Sequence, residues 1–272
     1  MCTTTVIINV MPTDPRTTES YNLNADVYNH HVSNPDESPY HTYYEKPAIR
    51  AALPELTDLN VLSIGCGSGV DSRWLKDNGA KNVFGVDISD GLINIAKENN
   101  LDIDFTVMDM ERLDFEDESF DLTYSSLAIH YLNDWTKALQ EANRVLKPGG
   151  QYIFSCSHPV DSALERTKDV SSKSAYLGRI TNLETSERTM YGDYLAVKEN
   201  GSKAYSSIAG NTEIWLYHQP VSKMMEYIRK AGFSIETMIE PLPLPEMQQK
   251  FPEYYEQLNL IPAFMIWVLK KD

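Results

Sequence analysis

Three glycines at alternate positions, Gly65, Gly67 and Gly69, stand between a short apolar run at 60–64 and a helical segment at 70–78. A chain that passes from an extended run into a helix through such a turn can adopt backbone conformations that a Cβ resists, and can lie directly against a ligand. The helix behind it points its free N–H groups and the positive end of its dipole at the same spot, which suits an anionic group. Gly79 follows the helix and marks its end. The alternation then continues. A strand is predicted over 82–86, ending in Asp87, and a helix over 91–98, capped by Ser89 or Asp90. Further strands are predicted over 103–108, ending in Asp109, over 120–125 and over 151–156. Between the last two, Asp134 caps a helix with apolar residues at Trp135, Ala138, Leu139, Ala142, Val145 and Leu146, and the run from Lys147 to Gly150 stops it. Strands alternating with helices at this spacing specify an α/β chain with a mostly parallel sheet and helices on both faces. The strand segments are nearly continuous apolar runs, as expected when both faces of a sheet are covered.

In an open parallel sheet, ligands bind in the crevice beyond the carboxyl ends of the strands. Asp87 lies at such an end, 18 residues past Gly69, where a carboxylate can accept hydrogen bonds from both hydroxyls of a ribose. The residues therefore point to a nucleoside-bearing cofactor. A dinucleotide turn places its third glycine three positions after Gly67, and Val70 occupies that place. This disfavours the first rival, an NAD(P)-dependent oxidoreductase. A second rival, a cofactor-binding scaffold without catalysis, is distinguished only by the form of the acceptor pocket.

The Gly-x-Gly-x-Gly turn, with Asp87 and Asp109 at successive strand ends, resembles that of the class I S-adenosylmethionine-dependent methyltransferases. The likeness runs through Val61 to Gly69, Gly85 to Ile88, Phe120 to Ser125, and Leu146 to Gly150. It covers about residues 40–158 well and the C-terminal part more loosely, and is nearest to the small-molecule, ubiquinone-biosynthesis-type branch. Ser63 stands where that family often has an acidic residue. The resemblance implies a Rossmann-like methyltransferase fold with a seven-stranded sheet, whose last strand, predicted over 263–269, runs antiparallel beside the fifth. It implies S-adenosylmethionine as cofactor and S-adenosylhomocysteine as product. Gly65, Cys66, Gly67, Ser68 and Gly69 would approach the methionine part, Asp87 the ribose, and Ile88 the adenine ring. Asp109 would meet the adenine amino group, with the Met110 N–H near a ring nitrogen. Ser125, Ser126 and Leu127 would line the methyl-donating end, and Tyr44 belongs to a segment resembling one that covers the cofactor.

Around this core at 54–158, four further segments are expected. Residues 1–20 read as a loose extension with a possible strand at 6–10, and 21–53, rich in Tyr, His and Asn, as a cap over the cofactor site. Residues 159–217 interrupt the rhythm for about 60 positions, too long for a bare loop, and read as an inserted lid subdomain with alternating stretches at 189–197 and 204–217. Residues 218–272 complete the sheet with a helix at 221–230 and a strand at 233–239. Two histidines are candidate proton acceptors for a methyl-accepting nucleophile. His158 directly follows the fifth strand, with Pro159 restricting its backbone, and His130 follows the fourth.

The charge balance of 24 Lys and Arg against 39 Asp and Glu gives a formal net charge of −15, which repels a phosphate backbone and argues against nucleic acid as partner. A small-molecule acceptor is expected instead. No apolar run reaches membrane-spanning length, and residues 6–11 lack the basic flank of a signal peptide. Three widely spaced cysteines, Cys2, Cys66 and Cys156, read as reduced thiols in a cytoplasmic compartment. Cys66 reads as a packing residue rather than a nucleophile. His30 and His31 have no ligand-spaced partners, so no metal is expected.

Overall fold

The computed structural model describes residues 13–166, 175–195, 202–206 and 212–272. The chain opens with two short helices, α1 (Pro15–Leu23) and α2 (Ala25–Ser33), followed by a π-helical turn (His41–Glu45) that runs into α3 (Lys46–Ala51). Then come β1 (Asn60–Ile64), α4 (Val70–Asp77), β2 (Asn82–Asp87), α5 (Asp90–Asn99), β3 (Asp104–Val107), β4 (Phe120–Ser125), α6 (Thr136–Val145) and β5 (Leu146–Ser157). The Ser89 hydroxyl caps α5 by accepting from the Leu92 N–H, whereas the N-cap of α6 is Trp135 and Asp134, one residue earlier, accepts from the Thr136 N–H.

These strands join β12 (Phe233–Ile239) and β13 (Phe264–Lys271) in one seven-stranded sheet, ordered β12-β13-β5-β4-β1-β2-β3. All pairings are parallel except those of β13, which is antiparallel to both β5 and β12. The inner strands are buried on both sides, whereas the edge strands β3 and β12 are largely exposed. On β5, Tyr152, Phe154 and Cys156 join one apolar cluster with α6 and α8 (Val221–Lys230), while Ile153 joins the other with α3, α4 and α5. On β13, Met265, Trp267 and Leu269 alternate in the same way with Ile266 and Val268. A period of two is what a strand covered on both faces requires. The chain travels outward from β1 through β2 to β3, then returns to β4 and β5 on the other side of β1. The carboxyl ends of β1 and β4 therefore diverge at a topological switch point, where such sheets open a crevice.

The surrounding segments depart from expectation in three ways. The stretch before residue 20 is not loose where it is described, because Pro15 opens α1 with Asp14 capping its N-terminus. The proposed strand at 6–10 lies outside the described residues. Among the described residues the insertion carries a four-residue helix α7 (Pro159–Ser162) and three two-stranded ribbons, β6 (Glu165–Arg166) with β7 (Ala175–Tyr176), β8 (Gly178–Thr181) with β9 (Arg188–Tyr191), and β10 (Ser202–Ser206) with β11 (Thr212–Leu216), of which β9 falls in the first expected alternating stretch and β10 and β11 in the second. Two further helices, α9 (Pro245–Lys250) and α10 (Pro252–Leu260), stand between the strands predicted over 233–239 and 263–269. They pack Met247 and Leu258 against Tyr44, forming a small satellite core.

Candidate active site

A cavity of about 340 Å³ opens at the switch point, a volume suited to a small-molecule or cofactor site. Its floor is made by backbone. Gly65 has φ +66°, and a Cβ there would stand 2.4 Å from that of Ala128, so neither conformation nor space admits a side chain. The turn is pinned from below. The Cys66 N–H donates to the Val86 carbonyl at 3.0 Å, and the Gly67 N–H donates to Asp87 Oδ2 at 2.9 Å. Asp87 Oδ1 accepts from the Ser89 N–H at 2.9 Å. Each carboxylate oxygen thus holds one backbone donor and keeps acceptor capacity for a ligand hydroxyl. Burial raises the Asp87 carboxyl above its ordinary value, and the backbone donors from Ser89 and Gly67 oppose this. At the next strand end Asp109 accepts from the Glu111 N–H at 2.9 Å. Burial and the Asp109 charge push Glu111 up to about 7. Burial and Asp87 raise the Cys66 thiol well above its usual value, so it is no thiolate.

Of the predicted cofactor residues, Gly65, Cys66, Gly67, Ser68, Asp87, Ile88, Asp109, Met110, Ser126 and Leu127 line the cavity, and Ser63 joins them. Gly69, Ser125 and Tyr44 do not. Gly69 caps α4 with φ +84°, its Cα backed by Phe105 and Asn100. Ser125 is buried within β4. Tyr44 points into the satellite core, where its hydroxyl accepts from the Ala263 N–H at 3.1 Å. The covering tyrosines are Tyr28, whose ring edge lies 3.3 Å from where a Gly67 Cβ would stand, and Tyr21, whose hydroxyl pairs with that of Tyr131 at 2.5 Å. Thr13, Thr17, Ile214 and Leu216 close the same side. The Tyr-rich composition of the N-terminal segment pointed to this cover; which tyrosine faces inward follows from helix packing.

The two candidate bases separate. His158 is not on the cavity wall. It caps α7, accepting from the Val160 N–H at Nδ1 (3.2 Å), and its Nε2 contacts Glu240 at 3.0 Å. Its ring is held by those two partners, so the strand-end position that suggested catalysis serves a helix cap instead. His130 does line the cavity. Its Nδ1 accepts from the Ser157 N–H at 3.1 Å, which leaves the proton of the neutral ring on Nε2. Burial, with a smaller contribution from His41, lowers it to about 3. His41, also on the wall, is lowered to about 4 by burial and by Lys46. Both rings are neutral near pH 7, and His130 is a hydrogen-bond donor there rather than a proton acceptor. The sequence reading missed His41, Lys46 and Asp71, which meet at the wall: Lys46 lies 3.7 Å and Arg50 2.8 Å from Asp71.

The geometry is matched by known proteins. A family model described as a methyltransferase domain matches residues 62–154. The crystal structure of an S-adenosylmethionine-dependent methyltransferase from Mesorhizobium loti superposes with a TM-score of 0.66 at 30% identity, covering 84% of this chain and 97% of that one. This chain belongs to the S-adenosylmethionine-dependent methyltransferases. A second such structure, a putative methyltransferase from Listeria monocytogenes, has a TM-score of 0.62 at 26% identity, covering 84% of this chain and 96% of that one. Among curated relatives, malonyl-[acyl-carrier protein] O-methyltransferase of Pseudescherichia vulneris is 36% identical over 107 residues, 39% of this chain and 42% of that protein. The chain thus matches about two fifths of the length of the first such relatives. For this methyltransferase, S-adenosylmethionine is the cosubstrate its family carries, and the residues present fit it: a turn with no side chain at Gly65 and Gly67 for close approach, and a carboxylate with spare acceptor capacity at the second strand end.

Proposed function

We propose that this protein transfers a methyl group from S-adenosylmethionine to a small-molecule acceptor. The observation that carries the reading is the Gly65 turn braced by Asp87 on the floor of a covered cavity at the switch point. When bound, S-adenosylmethionine supplies an electrophilic methyl group on a sulfonium. The turn at 65–68 would hold its methionine part, Asp87 the ribose hydroxyls, Ile88 and Met110 the adenine faces, and Asp109 the adenine edge. Ser126 and Leu127 would bound the methyl-donating end, and Tyr21, Tyr131, Ile214 and Leu216 line the same cavity. The contribution of these side chains is alignment and exclusion of water, since in-line displacement depends on both. Neutral His130 offers its Nε2–H to orient an acceptor atom. Burial holds both rings below the ordinary imidazole value, which disfavours either of them as the base that takes an acceptor's proton. Free Cys66 and Cys156 support a reducing, cytoplasmic setting, and among the described residues no helix is long and apolar enough to cross a membrane. The negative charge supports an acceptor other than nucleic acid.

The fold also carries other chemistry: one neighbour with 17% identity and a TM-score of 0.61 is a [4+2]-cyclase. The test therefore has two stages. Calorimetry should show binding of S-adenosylmethionine and S-adenosylhomocysteine but not NAD. An acceptor screen should then show S-adenosylhomocysteine release matched by a methylated product. Tight NAD binding without response to the sulfonium would refute the reading.

A further inference from the structure

The π-helical turn ends on a carboxyl that the proposed chemistry does not use. Glu45 is fully buried. Its Oε1 accepts from the Ser155 hydroxyl at 2.5 Å and from the Ser126 hydroxyl at 3.0 Å, and its Oε2 has no hydrogen-bond partner. Ser155 in turn accepts from the Leu127 N–H at 3.0 Å, and Leu127 has φ +53°, a conformation an L-leucine adopts only when its surroundings hold it. Ser126 and Leu127 are cavity wall. One carboxyl therefore stands a single side chain behind the ligand space and braces the turn that bounds it.

The groups facing Glu45 define its charge environment. From α4 comes Asp71. Burial raises this carboxyl, but Lys46 and Arg50 of α3 more than offset that and hold it below its ordinary value, so it is an anion. The phenols of Tyr124 on β4 and Tyr28 on α2 lie within electrostatic range, both raised by burial and neutral. His41, on the same π-turn, is neutral. Burial and the Asp71 charge raise Glu45 to about 7, against the pull of Ser155, Ser126 and Lys46. With Glu45 protonated, the cluster of Lys46, Arg50, Asp71 and Glu45 carries one net positive charge; with Glu45 ionised it is balanced. A cation arriving beside Ser126 meets a net positive cluster in the first state and, in the second, a balanced one whose Glu45 carboxylate is bonded to Ser126 itself.

We propose that Glu45 is the proton-linked counter-charge for a cationic ligand group at the Ser126 end of the cavity, so that the sulfonium donor binds with release of the Glu45 proton and the neutral thioether product does not. This rests on the methyltransferase reading above. An opposite charge within about 4–6 Å lowers a carboxyl by one to three pKa units. By linkage, affinity for the sulfonium then rises with pH through the range in which Glu45 ionises in the free protein, while the proton leaves to the buffer.

The experiment is titration calorimetry of wild type and Glu45→Gln with S-adenosylmethionine and S-adenosylhomocysteine. It is run from pH 6 to 8 in buffers of different ionisation enthalpy, which gives the protons released on binding. For wild type, affinity for S-adenosylmethionine should rise about five- to tenfold over this range relative to S-adenosylhomocysteine. In Glu45→Gln, which keeps an acceptor for both serines, the relative rise should fall below about twofold, because protons belonging to the ligands themselves cancel between the two proteins. Equal proton release for the two ligands in wild type overturns the proposal and leaves the methyltransferase reading intact. So does a sulfonium-specific release that persists in Glu45→Gln. Binding of neither ligand to wild type overturns both. The wild-type comparison needs no variant, so a poorly folded Glu45→Gln does not remove the test.

Discussion

The floor and the cover of the cavity are built on different principles. The floor, from Gly65 to Asp109, is held by backbone hydrogen bonds within three successive strand ends, and its key positions carry either no side chain or a carboxylate tied to backbone N–H groups. The cover is held by side chains meeting across long sequence separations. Tyr21 meets Tyr131, Thr17 accepts from the Trp215 N–H, and Asn22 accepts from the Ser89 hydroxyl. Backbone geometry varies little when a surface side chain changes, whereas a cover of paired side chains can be rebuilt by a few substitutions. The floor is thus suited to a cosubstrate common to a family and the cover to an acceptor particular to one member.

The largest test of this contrast is at the floor. Gly65→Ala forces a Cβ into the space of Ala128 at positive φ, and should lower stability by about 3 kcal/mol or more in urea unfolding and abolish cosubstrate binding. A variant that binds normally would show that the turn is adaptable. Next, Asp87→Ala should weaken S-adenosylmethionine binding by about 1.5–3 kcal/mol in calorimetry. An unchanged affinity would place the ribose elsewhere.

The third test uses pH. Buried His130 is neutral when folded, with its value lowered to about 3, whereas the unfolded chain takes up a proton near 6.5. Its contribution is present above pH 6.5 and is lost as pH falls toward 3, at up to about 1.4 kcal/mol per pH unit. Chemical unfolding of wild type and His130→Gln between pH 7 and 5 should show a shallower decline in the variant. Parallel curves would mean that the imidazole is protonated in place. The smallest expected effect belongs to the cover: Tyr131→Phe removes one hydroxyl of the Tyr21 pair and should cost about 1 kcal/mol of stability while leaving cosubstrate affinity nearly unchanged. A large loss of that affinity would erase the division between floor and cover. Hydrogen exchange complements it: amides in α1, α2 and β11 should slow when cosubstrate binds, and protection confined to 60–130 would mean that the cover does not tighten.

The sequence by itself determined the sheet and the floor. β1, β4, α8 and β12 have the predicted bounds, because continuous apolar runs, polar caps and glycine stops are local signals that neighbouring residues enforce. The positions of Gly65 and Asp87 were legible for the same reason, as one falls in the turn between a strand and a helix and the other at the end of the next strand. Only the tertiary structure decided the rest. Tyr44 and Tyr28 are alike in composition and differ in which packed face their helical turns present, one to Met247 and Leu258, the other to the glycine turn. His158 and His130 both follow strands, yet one caps a helix and the other faces the cavity. Glu45 reads in sequence as an ordinary acidic residue before Pro47, and it became a buried carboxyl only when β4 and β5 brought Ser126 and Ser155 to it from 81 and 110 residues away. Burial and charge environment are sums over such distant neighbours, and no window along the chain contains them.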